Sequence, residues 1–326
     1  MLVNEKNLFA AIEKQCNWKL KEVTILTGGL MHKMYHLKTN QGDYALKVLN
    51  QFVMQRKSAM DNYRRAEKLE CLLEKNNIPI LPALSFNGKK MQEINGVYFY
   101  LFDYYPGRAL KHNEIKEVHC LQIGKVLAKI HNIDKLKTIK FSQINIDWNF
   151  YLTRLKQADQ LLYKLLKDNY SLIIESQNNS NQAKSKLPKM ATICHNDMDC
   201  KNVLWNNQDY RIIDLECLDY NHPFIELFEL ALCYSGYEEC QIDFNLFNAF
   251  IKGYVLAGGK LPTDWNVLYD CNNRLEWLEY NLKRVLGIDC GKDEREIGIK
   301  QSIKTIKLIV YYDKMQKEIF ENCRKF

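Results

Sequence analysis

The sequence has no apolar run near the roughly 18 residues that a membrane-spanning helix needs. Its longest, Val97 to Phe102, is the length of a strand. The N-terminus, M-L-V-N-E-K-N-L-F-A, lacks a basic stretch followed by an apolar core, so no secretory signal and a cytoplasmic protein are expected. The eleven cysteines are odd in number and form no C-x-x-C pair, which argues for reduced thiols rather than a disulfide framework. Cys194, His195 and Cys200 come nearest to a metal-ligand cluster, but another reading of that segment is stronger. Basic runs with interleaved aromatics are also missing. The net charge of +7 comes from scattered lysines, so neither a nucleic acid nor a membrane is an expected partner. There are no internal repeats.

What is present is the balance of a globular protein, 47% hydrophobic and 26% charged over 326 residues. That length suits two modest domains or one two-lobed unit, as monomer or dimer. Leu20–Leu26, Lys33–Thr39 and Asp43–Leu49 are strand-like, the last two joined by Asn40-Gln41-Gly42. Ser58 to Lys75 has helical spacing, with Tyr63, Ala66, Leu69 and Leu73 in one stripe. Further strands are expected near Ala83–Phe86 and Gly96–Phe102, giving a five-stranded antiparallel sheet with an inserted helix. Beyond Asp103 the pattern turns helical: Glu114–His131, Asp147–Lys167, Pro223–Tyr234, Phe244–Leu256, Arg274–Leu286 and Ile297–Phe320. Glu175–Lys186 (E-S-Q-N-N-S-N-Q-A-K-S-K) is polar enough to predict a mobile loop. Ala191–Cys194, Val203–Trp205 and Tyr210–Ile213 are the strand candidates of this half.

The most informative stretch is C-H-N-D-M-D-C-K-N-V-L-W-N-N-Q-D-Y-R-I-I-D-L-E, from Cys194 to Glu216. Phosphoryl transfer needs a carboxylate to orient the attacking hydroxyl and take its proton, and oxygen ligands for magnesium. The pattern H-x-D-x-x-x-x-N supplies both on one loop, with Asp197 as base and Asn202 turned toward a metal. Asp214, at the end of the following strand, offers the second metal-binding carboxylate. A lone H-x-D would fit a solvated loop whose carboxylates cap turns, but the full register matches the order and spacing of a kinase catalytic loop. Upstream, Asp43-Tyr44-Ala45-Leu46-Lys47-Val48 places Ala45 and Lys47 on one strand face, a small residue to admit adenine and an ammonium for the phosphates. Gly28 and Gly29 lie between the first two strands, where a backbone loop could cover phosphates, though a plain hairpin fits them equally. Lys47 needs a carboxylate partner from the following helix; Glu67 and Glu70 both qualify.

These segments resemble the aminoglycoside phosphotransferase and choline kinase family of small-molecule kinases. The likeness runs from about Thr24 to Gly236, through T-G-G-L-M-H-K-M-Y, Y-A-L-K-V, N-I-P-I-L-P, L-F-D-Y-Y-P-G, I-G-K-V-L-A-K-I-H, C-H-N-D-M-D-C-K-N-V-L-W and I-I-D-L-E. The resemblance implies that Glu67, a dozen residues before Pro79, partners Lys47. It also implies that the backbone of Phe102, Asp103 and Tyr104 is a hinge that binds the purine. Asn196 departs from a common glycine, Cys200-Lys201 from proline-glycine, and His32 from asparagine or serine.

The expected fold is therefore α+β, bilobal and protein-kinase-like, with a nucleotide-binding N-lobe over residues 1–102, a hinge over 103–107 and a helical C-lobe over 108–326. The expected reaction moves the γ-phosphoryl of ATP or GTP, with Mg2+, to a hydroxyl of a small-molecule acceptor. Glu216, Asp219, Glu226, Glu229, Glu276 and Glu279 could face a cationic acceptor, with Glu216 and Glu226 preferred. Glu226 could instead be structural, since Pro223–Leu230 reads as the start of a core helix. Trp148, Trp205, Tyr220, Tyr234 and Trp277 could cage an ammonium, or simply build core. A metabolic kinase for choline, homoserine or a sugar-like alcohol is a rival within the class, and a non-catalytic nucleotide-binding regulator lies outside it. A protein kinase is disfavoured, because D-F-G, A-P-E and an activation loop between Asp214 and Pro223 are missing.

Overall fold

The computed structural model describes residues 5–26, 31–136, 138, 140–291 and 294–326, the side chain of Lys6 excepted. The chain forms two compact units: Met1–Leu110 with Lys201–Asp219, and Lys111–Cys200 with Tyr220–Phe326.

In the first unit, helix α1 (Glu5–Cys16) precedes strands β1 (Leu20–Leu26), β2 (Lys33–Thr39) and β3 (Asp43–Val48). A short helix α2 (Gln51–Met54) and the long α3 (Ala59–Lys75) follow, then β4 (Gln92–Ile94) and β5 (Val97–Asp103). The five strands make one antiparallel sheet in the order β1-β2-β3-β5-β4. Alternation sends Leu46, Val48, Phe99 and Leu101 to one face, where Leu8, Ile12 and Trp18 cover them. The other face carries Tyr100, packed with Leu49, Tyr63 and Ala83. Strand β6 (Arg108–Ala109) pairs with β9 (Val203–Asn206), which pairs with β10 (Asp209–Ile212). A parallel bridge from Ile80 to Ile212 ties this small sheet to the segment after α3.

The second unit is built on α4 (Glu117–His131), α5 (Trp148–Ala158), α6 (Gln160–Asp168), α7 (Tyr170–Lys186), α8 (Pro223–Tyr234), α9 (Phe244–Leu256), α10 (Trp265–Cys271), α11 (Leu275–Leu286), α12 (Arg295–Lys314) and α13 (Gln316–Cys323). Its three short strands, β7 (Lys135–Leu136), β8 (Ala191–Cys194) and β11 (Asp219–Asn221), lie in the order β11-β8-β7. Helices α4 and α9 cross at two glycines. A Cβ on Gly124 would stand 2.1 Å from the Phe250 carbonyl oxygen, and one on Gly253 would stand 2.2 Å from that of Leu121. Only hydrogen at both positions permits that approach.

Several expectations about local structure change. The fourth strand is β4 at Gln92–Ile94 rather than Ala83–Phe86; in that segment Leu84 N–H still donates to Leu101 O at 2.7 Å, but no ladder forms. The predicted loop over 175–186 belongs to α7. Two of its amides are tied into the fold: Gln177 Oε1 accepts from Trp148 Nε1 at 2.9 Å, and Asn181 exchanges two 2.8 Å bonds with the backbone of Ile144. Those ties and the buried Ile173, Ser180 and Ala183 stabilise a helix that composition alone disfavours. The helix expected over Asp147–Lys167 is two, because the Asp159 carboxylate accepts from Leu162 N and starts a new one. Met315 likewise divides the last expected helix into α12 and α13.

Candidate active site

In the first unit, the register Met34–Lys47–Tyr100 puts Lys47 in mid-sheet on the α3 side. The Lys47 side chain is 9% exposed, and its Nζ lies 2.5 Å from Asp214 Oδ1 and 2.5 Å from Glu216 Oε2. Burial works to lower the pKa of the ammonium, but Asp214 and Glu216 outweigh it and raise it. Asp214 ends the β10 segment in a left-handed conformation, φ 63° and ψ 52°, and the Glu216 carboxylate is two residues on. Burial pushes the Glu216 carboxyl up, yet Lys47 and then His32 hold it down at about 2.

His32 is fixed from both sides. Asn50 N–H donates to its Nδ1 at 3.0 Å, so the ring proton sits on Nε2, which donates to Glu216 Oε1 at 2.8 Å. His32, just before β2, is thereby anchored to Glu216. Gly28 and Gly29, expected to cover phosphates, lie outside the described residues.

The pair expected between Lys47 and Glu67 is not formed. Glu67 Oε1 accepts from Tyr100 OH at 2.9 Å and from Met91 N at 3.1 Å. Tyr100 is the cross-strand neighbour of Lys47, so Glu67 reaches the right face but meets a phenol and a backbone amide first. Glu70 is equally engaged, with Lys90 Nζ at 2.5 Å and Ala83 N at 2.9 Å. Lys47 draws its carboxylates from the D-L-E segment instead.

At the end of β5, Tyr104 N–H donates to Asp43 O at 3.0 Å, and Tyr44 faces Asp103. In an antiparallel ladder this makes Tyr44–Asp103 the non-hydrogen-bonded pair, whose backbone groups point away from each other. Of the three hinge residues, Asp103 therefore keeps its N–H and C=O on the edge away from β3. The Tyr104 ring stacks on His36 with centroids 3.9 Å apart. Asn202, buried where β9 begins, accepts at its carbonyl from Ile213 N at 2.9 Å, which joins the segments of Asn202 and Asp214.

In the second unit, the strand β8 runs into the loop of Asp197. His195 is buried, and its Nδ1 accepts from Asp197 N–H at 3.3 Å. Asn196 has φ 62°, the left-handed region that asparagine tolerates better than most residues. That conformation accounts for asparagine at a position where the resemblance leads one to expect glycine. Glu226 is not open to an acceptor molecule. It is 6% exposed, its Oε1 accepts from Asn196 N at 2.6 Å, and its Oε2 pairs with His131 Nε2 at 2.8 Å. Glu216, the other preferred acceptor-binding residue, is taken up by Lys47 and His32. Among the other acidic candidates, Asp219 pairs with Arg65, and Glu279 with Tyr151 and Lys283. Trp148 and Tyr234 are buried core residues.

His131 and the pairing of Glu216 with Lys47 were not legible as site features, although I-G-K-V-L-A-K-I-H and the D-x-E spacing both carry the signal. His131, Cys194 and Glu226 bring three potential ligand atoms within 4.8 Å. Burial and then Glu226 push the Cys194 thiol well up. No helix among the described residues is long and apolar enough to cross a membrane.

Comparison with solved structures finds the same architecture repeatedly. A spectinomycin phosphotransferase in complex with ADP and spectinomycin is 14% identical, with a TM-score of 0.69 over 94% of this chain and 98% of that one. An ethanolamine kinase from Plasmodium vivax is 17% identical, with a TM-score of 0.57 over 93% and 83%. A choline kinase from Cryptosporidium parvum is 15% identical, with a TM-score of 0.55 over 98% and 97%. At these identities the likeness establishes the fold, an α+β architecture of the protein-kinase-like type. No curated protein matches the chain significantly. A sequence profile described as the phosphotransferase enzyme family matches residues 22–267. With most of its length covered by that match, the chain belongs to the phosphotransferase enzyme family.

Proposed function

We propose that the protein transfers the γ-phosphoryl group of ATP or GTP to a hydroxyl of a small molecule, with Asp197 as the base. The observation that carries the reading is Lys47, a buried ammonium held by two carboxylates on the strand that bears the A-x-K pattern. A surface lysine would not be so placed. Phosphate oxygens can replace Asp214 and Glu216 as its acceptors, so the cluster is organised for an anion before one arrives. The purine would meet the outward backbone groups of Asp103.

Asp214 and Asn202 are the residues that would hold magnesium. They fit the ion as oxygen donors: Asp214 is 31% exposed, and its Oδ1 is on Lys47, which leaves Oδ2 for a further partner. When bound, the ion supplies positive charge that neutralises the phosphate oxygens. Asp197 accepts the proton of the acceptor hydroxyl as its oxygen bonds to the γ-phosphorus and the bond to the β-phosphate oxygen breaks, which releases the nucleoside diphosphate.

Glu229 is the acidic residue we favour facing the acceptor. It is exposed on α8, and Arg274, Glu226 and Asp197 are among the charges that its carboxylate feels. Negative charge shared with Asp197 suits a cationic alcohol, a description that fits choline, ethanolamine and spectinomycin. The test is nucleoside diphosphate release from Mg-ATP and Mg-GTP with those three acceptors, beside calorimetric titration of each nucleotide. Binding and turnover of at least one nucleotide are expected. Failure of both nucleotides to bind at millimolar concentration would remove the kinase reading.

A further inference from the structure

The second unit holds a cavity of about 130 Å3 between α7, α10, α11 and α12. Asp197, Glu226 and Glu229 are not in its lining; three other carboxylates are, those of Glu175, Asp270 and Asp313. Asp270 is half-buried, and the exposed Glu175 and Asp313 mark where the cavity meets solvent. Among the described residues, none of these three carboxylates has a hydrogen-bond or ion-pair partner. Burial pushes the Asp270 carboxyl up, and Lys186 offsets only part of it, so this group is short of positive charge. Arg274 is the only cation among the described lining residues, and its charge is already spent. It pairs with Glu238 at 2.9 Å and lies 5.2 Å over the Tyr237 ring. Its Nε–H is buried with no acceptor, a state that folded proteins seldom leave unanswered. Tyr269 and Tyr312 form a stiff wall. Their rings stack with centroids 4.3 Å apart, and each hydroxyl donates to the other's backbone carbonyl at 3.1 Å.

Size and charge together narrow the occupant. The cavity is slightly smaller than the roughly 150 Å3 that accepts one benzene ring, so it takes a molecule of about five or six non-hydrogen atoms. A bare divalent ion does not fit. Among the described residues only His131, Cys194 and Glu226 bring three such ligand atoms within 4.8 Å, so the three carboxylates are spread too widely for one ion. Spread negative charge beside an unanswered donor suits a molecule with a cation at one end and a lone pair at the other. We propose that this cavity binds a small organic ammonium ion that also carries a hydrogen-bond-accepting oxygen, with Asp270 as the counter-charge and Arg274 Nε–H as the donor. Glu175 and Asp313 draw the cation to the opening, and the tyrosine wall limits the length of what enters. The site stands independently of Asp197 and of phosphoryl transfer.

The test is calorimetric titration with two ammonium ions of equal size, 2-methoxyethylammonium and n-butylammonium, neither of which has a hydroxyl to phosphorylate. Both are titrated without nucleotide into the wild type and into Glu229→Gln, which separates the cavity from the region beside Asp197. The ether should bind both proteins with Kd values within about threefold of each other. It should bind about tenfold or more tightly than butylammonium, the scale of one hydrogen bond to a charged donor. Adding Asp270→Asn to Glu229→Gln should weaken both probes about tenfold or more. Burial already disfavours charge at that position, so asparagine suits the fold. Arg274→Lys keeps a cation for Glu238 but has no Nε–H, and should bring the two probes within about threefold of each other. Should that variant not fold, the Asp270→Asn arm decides. Absence of binding by either ion, equal affinity for the two in the wild type, or binding lost in Glu229→Gln and kept in Asp270→Asn overturns the proposal. None of these measurements involves turnover, so the kinase reading stands or falls separately.

Discussion

The two units each contain a carboxylate that receives a histidine proton, and they use it differently. In the first, Glu216 takes His32 on one oxygen and Lys47 on the other, and Asp214 shares the lysine while remaining 31% exposed. In the second, Glu226 takes His131 on one oxygen and a backbone amide on the other, and both side chains are nearly sealed. The first arrangement is exchangeable, because a polyanion offers Lys47 everything its carboxylates offer. The second is saturated, because no acceptor or donor is left over and water cannot substitute for a lost member. The two clusters thus differ in burial and remaining valence rather than in residue type. That difference can be tested by perturbing each cluster in turn.

The largest effect is expected at Asp197, the proposed base. Asp197→Asn should lower turnover by about 10²–10⁴-fold, the usual worth of general-base catalysis, with nucleotide affinity nearly unchanged. Asp214→Asn should lower turnover and also weaken the magnesium dependence of nucleotide binding, measured by titration with and without the ion. If both variants show the same binding profile, the two units do not divide the work as described.

Next in size is Lys47→Met, which strands Glu216 beside Asp214 with no cation. Breaking a pair buried to this degree costs about 3–5 kcal/mol. In the wild type, Glu216 titrates at about 2 and contributes stability above its ordinary 4.5 that disappears as pH falls through 2. Without Lys47 the strongest influence holding that carboxyl down is gone, so the variant should lose less stability than the wild type as pH falls from 4.5 toward 2 in urea unfolding. A constant difference across that range would show that Lys47 does not govern Glu216.

A smaller, pH-dependent effect comes from His222, buried against Phe141 and Phe224 in the second unit. Burial, then the neighbouring His131, lowers its pKa to about 4. Since the unfolded chain binds the proton at about 6.5, stability should fall as pH drops from 6.5 toward 4, by up to about 1.4 kcal/mol per unit. His222→Phe should flatten that slope by one proton. An unchanged slope would place the titration elsewhere.

The smallest change is expected for Glu67→Gln. Loss of one charge-assisted contact to Tyr100 should destabilise by about 1 kcal/mol, while Kd for Mg-ATP moves less than about threefold. A tenfold loss of nucleotide affinity would mean that Lys47 trades Asp214 or Glu216 for Glu67 when nucleotide binds.

What could be read from sequence follows the range of the interactions involved. The sheet was legible because alternation is local, and the register of His195, Asp197, Asn202 and Asp214 stands out because the proposed chemistry would ask for those residue types at that spacing. The partner of Lys47 was not, since helical period put Glu67 on the correct face but could not show that Tyr100 and Met91 would claim it. Helix α7 escaped notice for a related reason. Gln177 and Asn181 count as loop-formers until the backbone at Ile144 and the indole of Trp148 are there to bond them. Glu226 read as a choice between substrate and core, and only its bond to Asn196 decides between them.

The glycine crossing of α4 and α9 gives this chain an unusual mutational liability. His131 lies two helical turns beyond Gly124, about 10 Å along α4, and Tyr254 is the residue after Gly253. A single methyl at either glycine would have to wedge the helices apart against a carbonyl little more than 2 Å away. The gap would open at the His131–Tyr254 contact, where 2.9 Å leaves no slack. A substitution at either glycine would therefore reach the His131–Glu226 contact by steric means alone, although neither glycine carries a functional group.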